Sequence, residues 1–223
     1  MRRRIAIFLI ACLAVPAVAL AADTDPKKRI TPADQAKARS TILKLTDFAA
    51  GWKRAPASPE SDETCPGFNP TEADLTLTGE AQAEFTHSQG LATVASYSEV
   101  YVSKADALKS WTRSDKPAVA RCLGHFFQKG ATDESTKVTI VSAGRMAFPK
   151  LAPRTAAFKV VARVTVTANG QTQTVPFALQ FFALGQGRGD TAFLAISPGT
   201  GLASADLRAF GTLLAKRLAA AKL

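Results

Sequence analysis

Residues 156–197 read AAFKVVARVTVTANGQTQTVPFALQFFALGQGRGDTAFLAIS. Apolar and polar residues alternate through the first third of this stretch, which is typical of a strand with one buried and one wet face. Asn169–Gly170 is the favoured two-residue hairpin turn, and Pro176 indicates an edge or a bulge in the return strand. The glycine-rich tip at 185–190 leads into a further apolar strand. We therefore predict that the second half of the chain is an antiparallel meander.

The first half of the chain also contains strand-like alternation, in 75–85 and 92–102. Gly79, inside the first of these runs, is suited to a bulge or to a close approach of another backbone. Three predicted helices begin at a residue whose hydroxyl can cap the helix. These residues are Thr31, Ser103 and Ser204.

We expect the first helix to run from Thr31 to about Ala50, where Gly51 stops it. Pro117 separates the second helix from an amphipathic one that ends at Gly130. The predicted order is α-ββ-α-ββββ-α. Such an order gives an α+β domain, an antiparallel sheet of about six strands with flanking helices.

The N-terminus has the three parts of a secretory signal peptide. Three arginines precede an apolar stretch, and Ala19-Leu20-Ala21 supplies the small residues of a cleavage site. We predict a signal peptide at 1–21, a flexible tether at 22–30 and a single domain at 31–223. Two alternatives remain open: a lipid on Cys12, or an uncleaved apolar anchor over 5–22.

All three interpretations of the N-terminus place the folded part outside the cytoplasmic membrane. We therefore expect a secreted, periplasmic or cell-envelope protein, with membrane contact only if the N-terminus is uncleaved or lipidated. The formal charge is +10 for the whole chain and +7 without residues 1–21, from 25 Lys and Arg against 18 Asp and Glu. The basic residues are scattered, so we expect no nucleic acid partner.

Two cysteines remain after export, Cys65 and Cys122. In an oxidising compartment, an even pair without Cys-x-x-Cys spacing predicts a disulfide bond, with two buried thiols as the alternative. Cys65 lies in a stretch at 53–70 that is rich in proline, serine and acids and is expected to be irregular. The disulfide would pin this long loop to the helix that carries Cys122.

Residues that could carry chemistry are few. His87 and His125 have no second ligand at metal spacing, and no nucleophile motif is present, so we expect no metal, no cofactor and no catalysis. The tip Arg188-Gly189-Asp190 is a candidate partner-binding loop, because exposed loop tips often carry contacts. Aromatic residues that could line a ligand pocket are Trp52, Tyr97, Tyr101 and Trp111.

The element order, the segment DFAAGW at 47–52 and the ending FLAISPGTGLASADLRAFGTLLAKRL at 193–218 resemble the PsbP-like α+β sandwich proteins. Within that group, the chain is most similar in style to exported proteins and lipoproteins of actinobacterial type and to sensor domains of bacterial Ser/Thr kinases. The resemblance implies a binding, sensor or adaptor protein without catalytic activity, and it transfers no site residues. The partner would be an envelope protein or a small ligand. The alternative is a cell-envelope hydrolase with a non-contiguous site.

Overall fold

The computed structural model describes residues 25–56, 65–88 and 92–223. Their largest feature is an eight-stranded sheet with four α-helices, an α+β fold. The predicted signal peptide at 1–21, Cys12 and the alternative anchor at 5–22 lie outside the described residues. Among the helices of the described ranges, none is both long and apolar enough to cross a membrane.

The strands are β1 (Lys27–Lys28), β2 (Trp52–Ala55), β3 (Thr76–His87), β4 (Thr93–Tyr101), β5 (Thr136–Arg145), β6 (Arg154–Ala168), β7 (Gln171–Gln186) and β8 (Gly189–Pro198). The α-helices are α1 (Pro32–Ser40), α2 (Lys104–Ser114), α3 (Ala118–Ala131) and α4 (Ser204–Ala220), and a short 3-10 helix covers Leu45–Asp47.

The strands lie in the order β1-β3-β4-β8-β7-β6-β5. The strand β2 pairs with 84–87 of β3, on the same edge that pairs with β1 at its other end. The described pairings are antiparallel except that of β1 with β3. Besides the six predicted strands, the sheet contains two short ones, β1 and β2. Lys27 and Lys28, predicted to be part of a tether, pair with Thr76 and Leu77. Residues 53–55, predicted to be irregular, belong to β2.

Local signals in the meander are confirmed. Asn169 and Gly170 both have positive φ, 53° and 74°, as a tight hairpin turn requires. Pro176 lies inside β7, but the pairing with β8 ends at its neighbour Phe177, so the missing N–H of the proline falls at a local edge. In the first half of the chain, Gly79 of β3 marks a register shift, and a side chain there would overlap the backbone of Asp34.

The helix caps are confirmed at two of three positions. The backbone N–H of Asp34 donates to Thr31 Oγ1 over 3.2 Å, and that of Asp106 donates to Ser103 Oγ over 3.1 Å. The third prediction is wrong by one residue. Ser204 is the first residue of α4, and Ala203 before it provides no side-chain cap.

The first helix is shorter than predicted. It ends at Ser40, where the hydroxyls of Ser40 and Thr41 donate to the carbonyls of Lys37 and Ala38. Thr41 Oγ1 also lies 2.6 Å from Ser98 Oγ of β4, which holds the chain at this point. Ile42 and Leu43 then enter the core. Leu45, which lies inside the predicted helix, belongs instead to the short 3-10 helix and is 45% exposed.

Each face of the sheet carries a hydrophobic core. Ile42, Leu43 and the leucines of α4 pack on one face, against residues of β7 and β8 such as Phe182 and Phe193. The helix α3 packs on the opposite face, over β5 and β6. We call this second side the α2–α3 face, since α2 lies beside α3 over β4 and β8.

The predicted disulfide joins Cys65 and Cys122, whose Cα atoms are 5.4 Å apart. Both cysteines are buried and contact Phe126 of α3, and Phe68 packs against them. The segment after Cys65 is thereby held on α3. Residues 57–64, in the middle of the predicted loop, lie outside the described residues.

Candidate ligand pocket

The α2–α3 face of the sheet is built in three cross-strand rows, which the strand register defines. The first, the polar row, runs through Arg154, Gly185, Asp190 and Glu99. Two residues further along each strand lies the alanine row, Ala156, Ala183 and Ala192, which ends at Tyr97. Two residues further still lies the apolar row, Phe158, Phe181 and Leu194.

The alanine row leaves a hollow in this face. Directly opposite residues on neighbouring strands have Cβ atoms only about 5 Å apart, so three adjacent alanines form a continuous patch without bulky side chains. Larger side chains of the polar and apolar rows stand on both sides of this patch, and α2 and α3 lie above it. The result is a pocket of about 280 Å³.

The roof of the pocket comes from three segments. Helix α2 contributes Trp111 and Ser114, α3 contributes Val119 and Leu123, and the disulfide region contributes Phe68 and Cys122. The walls are mostly apolar. Ser110, Glu99 and Asp190 form the polar end of the pocket, and the end of α2 adds Ser114 and Asp115.

Arg154 and Asp190 form an ion pair in the polar row, with 2.8 Å between Nη2 and Oδ1. The guanidinium crosses Gly185, where a Cβ would overlap both Arg154 Nε and Asp190 Oδ1. The guanidinium carbon also lies 5.8 Å from the ring centre of Trp111 in the roof. Burial raises the pKa of Asp190 to about 7 against the lowering effect of Arg154, and the neighbouring Glu99 adds to the increase.

Glu99 lies directly opposite Asp190 in the β4–β8 register. Its carboxylate accepts a hydrogen bond of 2.7 Å from the hydroxyl of Tyr101. Burial is the main cause that raises the pKa of Glu99 to about 7, and the charge of Glu72 raises it further. Glu99 takes part in none of the ion pairs found among the described residues.

A chain of hydrogen bonds connects the half-buried Glu99 to Glu72, which is buried. Tyr101 Oη lies 2.9 Å from Ser110 Oγ, which lies 2.5 Å from Glu72 Oε1. Three oxygen-to-oxygen contacts need three protons, and the two hydroxyls supply only two. The third proton must come from Glu72 or Glu99. Burial raises the pKa of Glu72, which agrees with a shared proton.

The structure brings two of the four predicted pocket residues into the pocket. Tyr97 and Trp111 line it. Tyr101 is fully buried and donates a hydrogen bond to Glu99. Trp52 lies on the other side of the molecule, where it stacks near Phe48.

The tip Arg188-Gly189-Asp190 is turned inward, in contrast to the exposed tip expected from the sequence. Arg188 forms a bidentate pair with Asp34, with 2.6 Å between Nη2 and Oδ1. Gly189 is buried and Asp190 pairs with Arg154. Contact of this tip with a partner stays a prediction.

Sequence reasoning missed Glu99, Glu72, Ser110 and the three alanines. The one usable signal was the inward-facing charge in the alternating pattern of SYSEVYV at 96–102, where Tyr97, Glu99 and Tyr101 share a face. An acid between two tyrosines on one strand face is unusual in an apolar core, because a buried carboxylate needs a polar partner. Recognising its neighbours required the β4–β8 pairing.

No protein-family model, no curated protein and no solved structure matches this chain.

Proposed function

We propose that this chain is an extracytoplasmic binding protein that holds a small, largely apolar ligand in the pocket under α2 and α3. The observation that carries the proposal is the alanine row with its roof. Native cores are packed to a density of about 0.75, and a designed cavity of about 150 Å³ already binds benzene. A pocket of about 280 Å³ with aromatic walls is larger than a packing defect and close to the smallest ligand sites, about 300 Å³.

The cellular location belongs to the same proposal. The signal-like N-terminus favours export, and a disulfide is stable in an oxidising compartment. The disulfide also contributes to the pocket, because Cys122 and the adjoining Phe68 are part of its roof. A sensor or adaptor role would use the ligand to set the position of this roof.

The proposal is tested with a substitution that fills the pocket. Ala192→Leu places a branched side chain at the middle of the floor, and Ala205→Leu adds the same atoms at an exposed position of α4. Exported wild-type protein should bind phenethyl alcohol, detected by ligand-observed NMR and by a change in tryptophan fluorescence. Ala192→Leu should abolish this binding, and Ala205→Leu should keep it. Equal binding in all three proteins would refute the proposal.

Hydrolysis is a second candidate function, favoured by one observation. Glu99 and Asp190 are directly opposite each other at the edge of a pocket, and each has its pKa raised to about 7. Such a pair can provide an acid and a base. Turnover of a panel of esters and glycosides that is lost in both Glu99→Gln and Asp190→Asn would support hydrolysis. Absence of turnover by the wild-type protein would exclude it for those substrates.

A further inference from the structure

We propose that the ligand is a small organic amine, with its ammonium group at Glu99 and its apolar body over the alanine row. This inference rests on the proposed binding function and names the chemical class of the ligand. It follows from the charge balance at the polar end of the pocket and from the spacing of the three rows.

The charge balance at the polar end favours a cation. Arg154 neutralises Asp190, with which it forms an ion pair. Glu72 and Glu99 share one proton through Tyr101 and Ser110, so the pair keeps one negative charge. The polar end therefore lacks one positive charge. A ligand with a single ammonium group supplies it.

Other charged groups near Glu99 do not remove this deficit. Glu80, the neighbour of Glu99 on β3, pairs with Lys28 of β1 over 3.0 Å. Arg113 of α2 pairs with Asp74, with 2.6 Å between Nη1 and Oδ1. Asp115, another acid of the pocket lining, pairs with Arg145 over 2.7 Å. The charged groups that act on Glu99 itself are Glu72, Glu80 and Lys28, and Asp190 lies opposite it in the register, paired with Arg154.

The hydrogen-bond chain is able to place the charge at the ligand. In the structure Tyr101 donates to Glu99, and Ser110 donates to Glu72. A proton on Glu72 would reverse the middle of the chain, so that Glu72 donates to Ser110 and Ser110 donates to Tyr101. Every donor would then point toward Glu99, which lines the pocket, whereas Glu72 does not. An ammonium group at Glu99 favours this arrangement over the one with the proton on Glu99. Charge-assisted hydrogen bonds of this kind are the strong ones.

The rows set the size of the ligand. Two residues along a strand span about 6.7 Å, so the polar row lies about 7 Å from the alanine row and about 13 Å from the apolar row. An ammonium group two or three carbons from a ring reaches Glu99 while the ring lies on the alanines. Trp111 above and Phe158 and Phe181 beyond provide aromatic contacts for that ring.

The experiment compares head groups on the same body. Phenethylamine, phenethyl alcohol and hydrocinnamate carry an ammonium, a hydroxyl and a carboxylate, and matching sets with cyclohexyl and naphthyl bodies extend the test. Binding to the exported protein is measured by titration calorimetry at about pH 8. We expect the amine to bind at least about tenfold more tightly than the alcohol, because a hydrogen bond to a charged group contributes more than a neutral one. The carboxylate should bind least.

Glu99→Gln should reduce the affinity for the amine to that for the alcohol and leave alcohol binding in place. Glu134→Gln, at an exposed position in the turn before β5, is the matched control and should keep the preference for the amine. Retained alcohol binding shows that Glu99→Gln is folded with an open pocket.

A pH series tests the shared proton. Amine affinity should fall by about tenfold or more between about pH 8 and 5, as Glu99 becomes protonated. Glu72→Gln provides a permanent donor to Ser110, so the amine should stay bound to a lower pH in this variant.

The outcomes separate the two proposals. Equal affinities for amine and alcohol, with both excluded by Ala192→Leu, would overturn the amine inference and leave the binding function standing. Preference for the carboxylate would do the same. If no member of the three sets binds, or if Ala192→Leu leaves binding unchanged, the binding function fails and the amine inference fails with it.

Discussion

Single residues decide whether the polar row can form. Arg154 begins β6 and Asp190 follows the β7–β8 turn, so the guanidinium must cross the strand between them. It crosses at Gly185, where any side chain would occupy its path. Close approach, and not backbone flexibility, is therefore the reason for glycine at this position.

Gly185→Ala should break the Arg154–Asp190 pair and lower the free energy of unfolding by about 3 kcal/mol or more, since separating a buried ion pair leaves two uncompensated charges. Urea unfolding measures the change. Gly144→Ala in β5 is the control, because a Cβ there meets no atom within 4 Å. If both variants unfold at the same urea concentration, the absence of a side chain at residue 185 is not required for the Arg154–Asp190 ion pair.

Glu99 gives the protein a stability that depends on pH. Its folded-state pKa, about 7, lies above the ordinary value of 4.5. The folded protein therefore binds more protons than the unfolded chain between these values, and stability falls as the pH rises through about 7.

Glu99→Gln should flatten this fall and make the protein more stable than wild type at about pH 8, by up to about 3 kcal/mol. The measurement is the free energy of unfolding in urea at about pH 5 and pH 8. The exposed Glu134→Gln should follow the wild-type curve at both values. A wild-type stability that rises between these pH values would contradict the raised pKa.

At the scale of elements, α1 is fixed to the sheet by a polar contact at its first turn. Asp34 is buried and accepts two hydrogen bonds from the guanidinium of Arg188 in the β7–β8 turn. Gly79 of β3 lets the backbone of α1 approach the strand closely. The helix start, the β3 bulge and the β7–β8 turn thus depend on one another.

Asp34→Asn tests this link. Hydrogen bonds from Arg188 lower the pKa of Asp34 from 3.8 to about 2, so its contribution is present above about pH 4 and is lost as the pH falls toward 2. The variant should be less stable than wild type at neutral pH by about 2 kcal/mol. The difference should shrink in acid unfolding near pH 2. A constant difference across the acid range would mean that the carboxylate charge is not the cause.

Elements with local signals were predicted well, and contacts between distant elements were not. The alternation, the Asn169–Gly170 turn and the caps at Thr31 and Ser103 act within a few residues, and the structure confirms them. The end of α1 was missed because Thr41 is held by Ser98 of β4, a tertiary contact. The pocket acids were missed for the same reason, since only the β4–β8 pairing places Glu99 beside Asp190.

At the scale of the whole molecule, the sheet separates two cores that differ in how they are closed. The core under α4 is filled by large side chains such as Phe182, Phe193 and Leu214, all fully buried. The α2–α3 face contains the hollow, and its roof is tied down at Cys65 and Cys122. The crosslink therefore lies on the less completely packed side of the protein.

Removing the crosslink should affect stability and binding together. The disulfide closes a loop of 57 residues, and in the chain-entropy model this stabilises the fold by about 4 kcal/mol. Cys65→Ser with Cys122→Ser should lose about that amount in urea unfolding. It should also bind phenethyl alcohol more weakly, because Phe68 is no longer held over the pocket.

The comparison that separates roof from fold uses Gly185→Ala, a variant destabilised at the floor with an intact disulfide. Hydrogen exchange is measured without urea, at a temperature where both variants are folded. Only the cysteine variant should then show faster exchange in the segment that follows residue 65. Equal protection of that segment in both would mean that α3 holds it without the disulfide. The untreated wild-type protein should have a mass about two hydrogens below that of the dithiol form, and this measurement checks that the bond is present before the comparison is made.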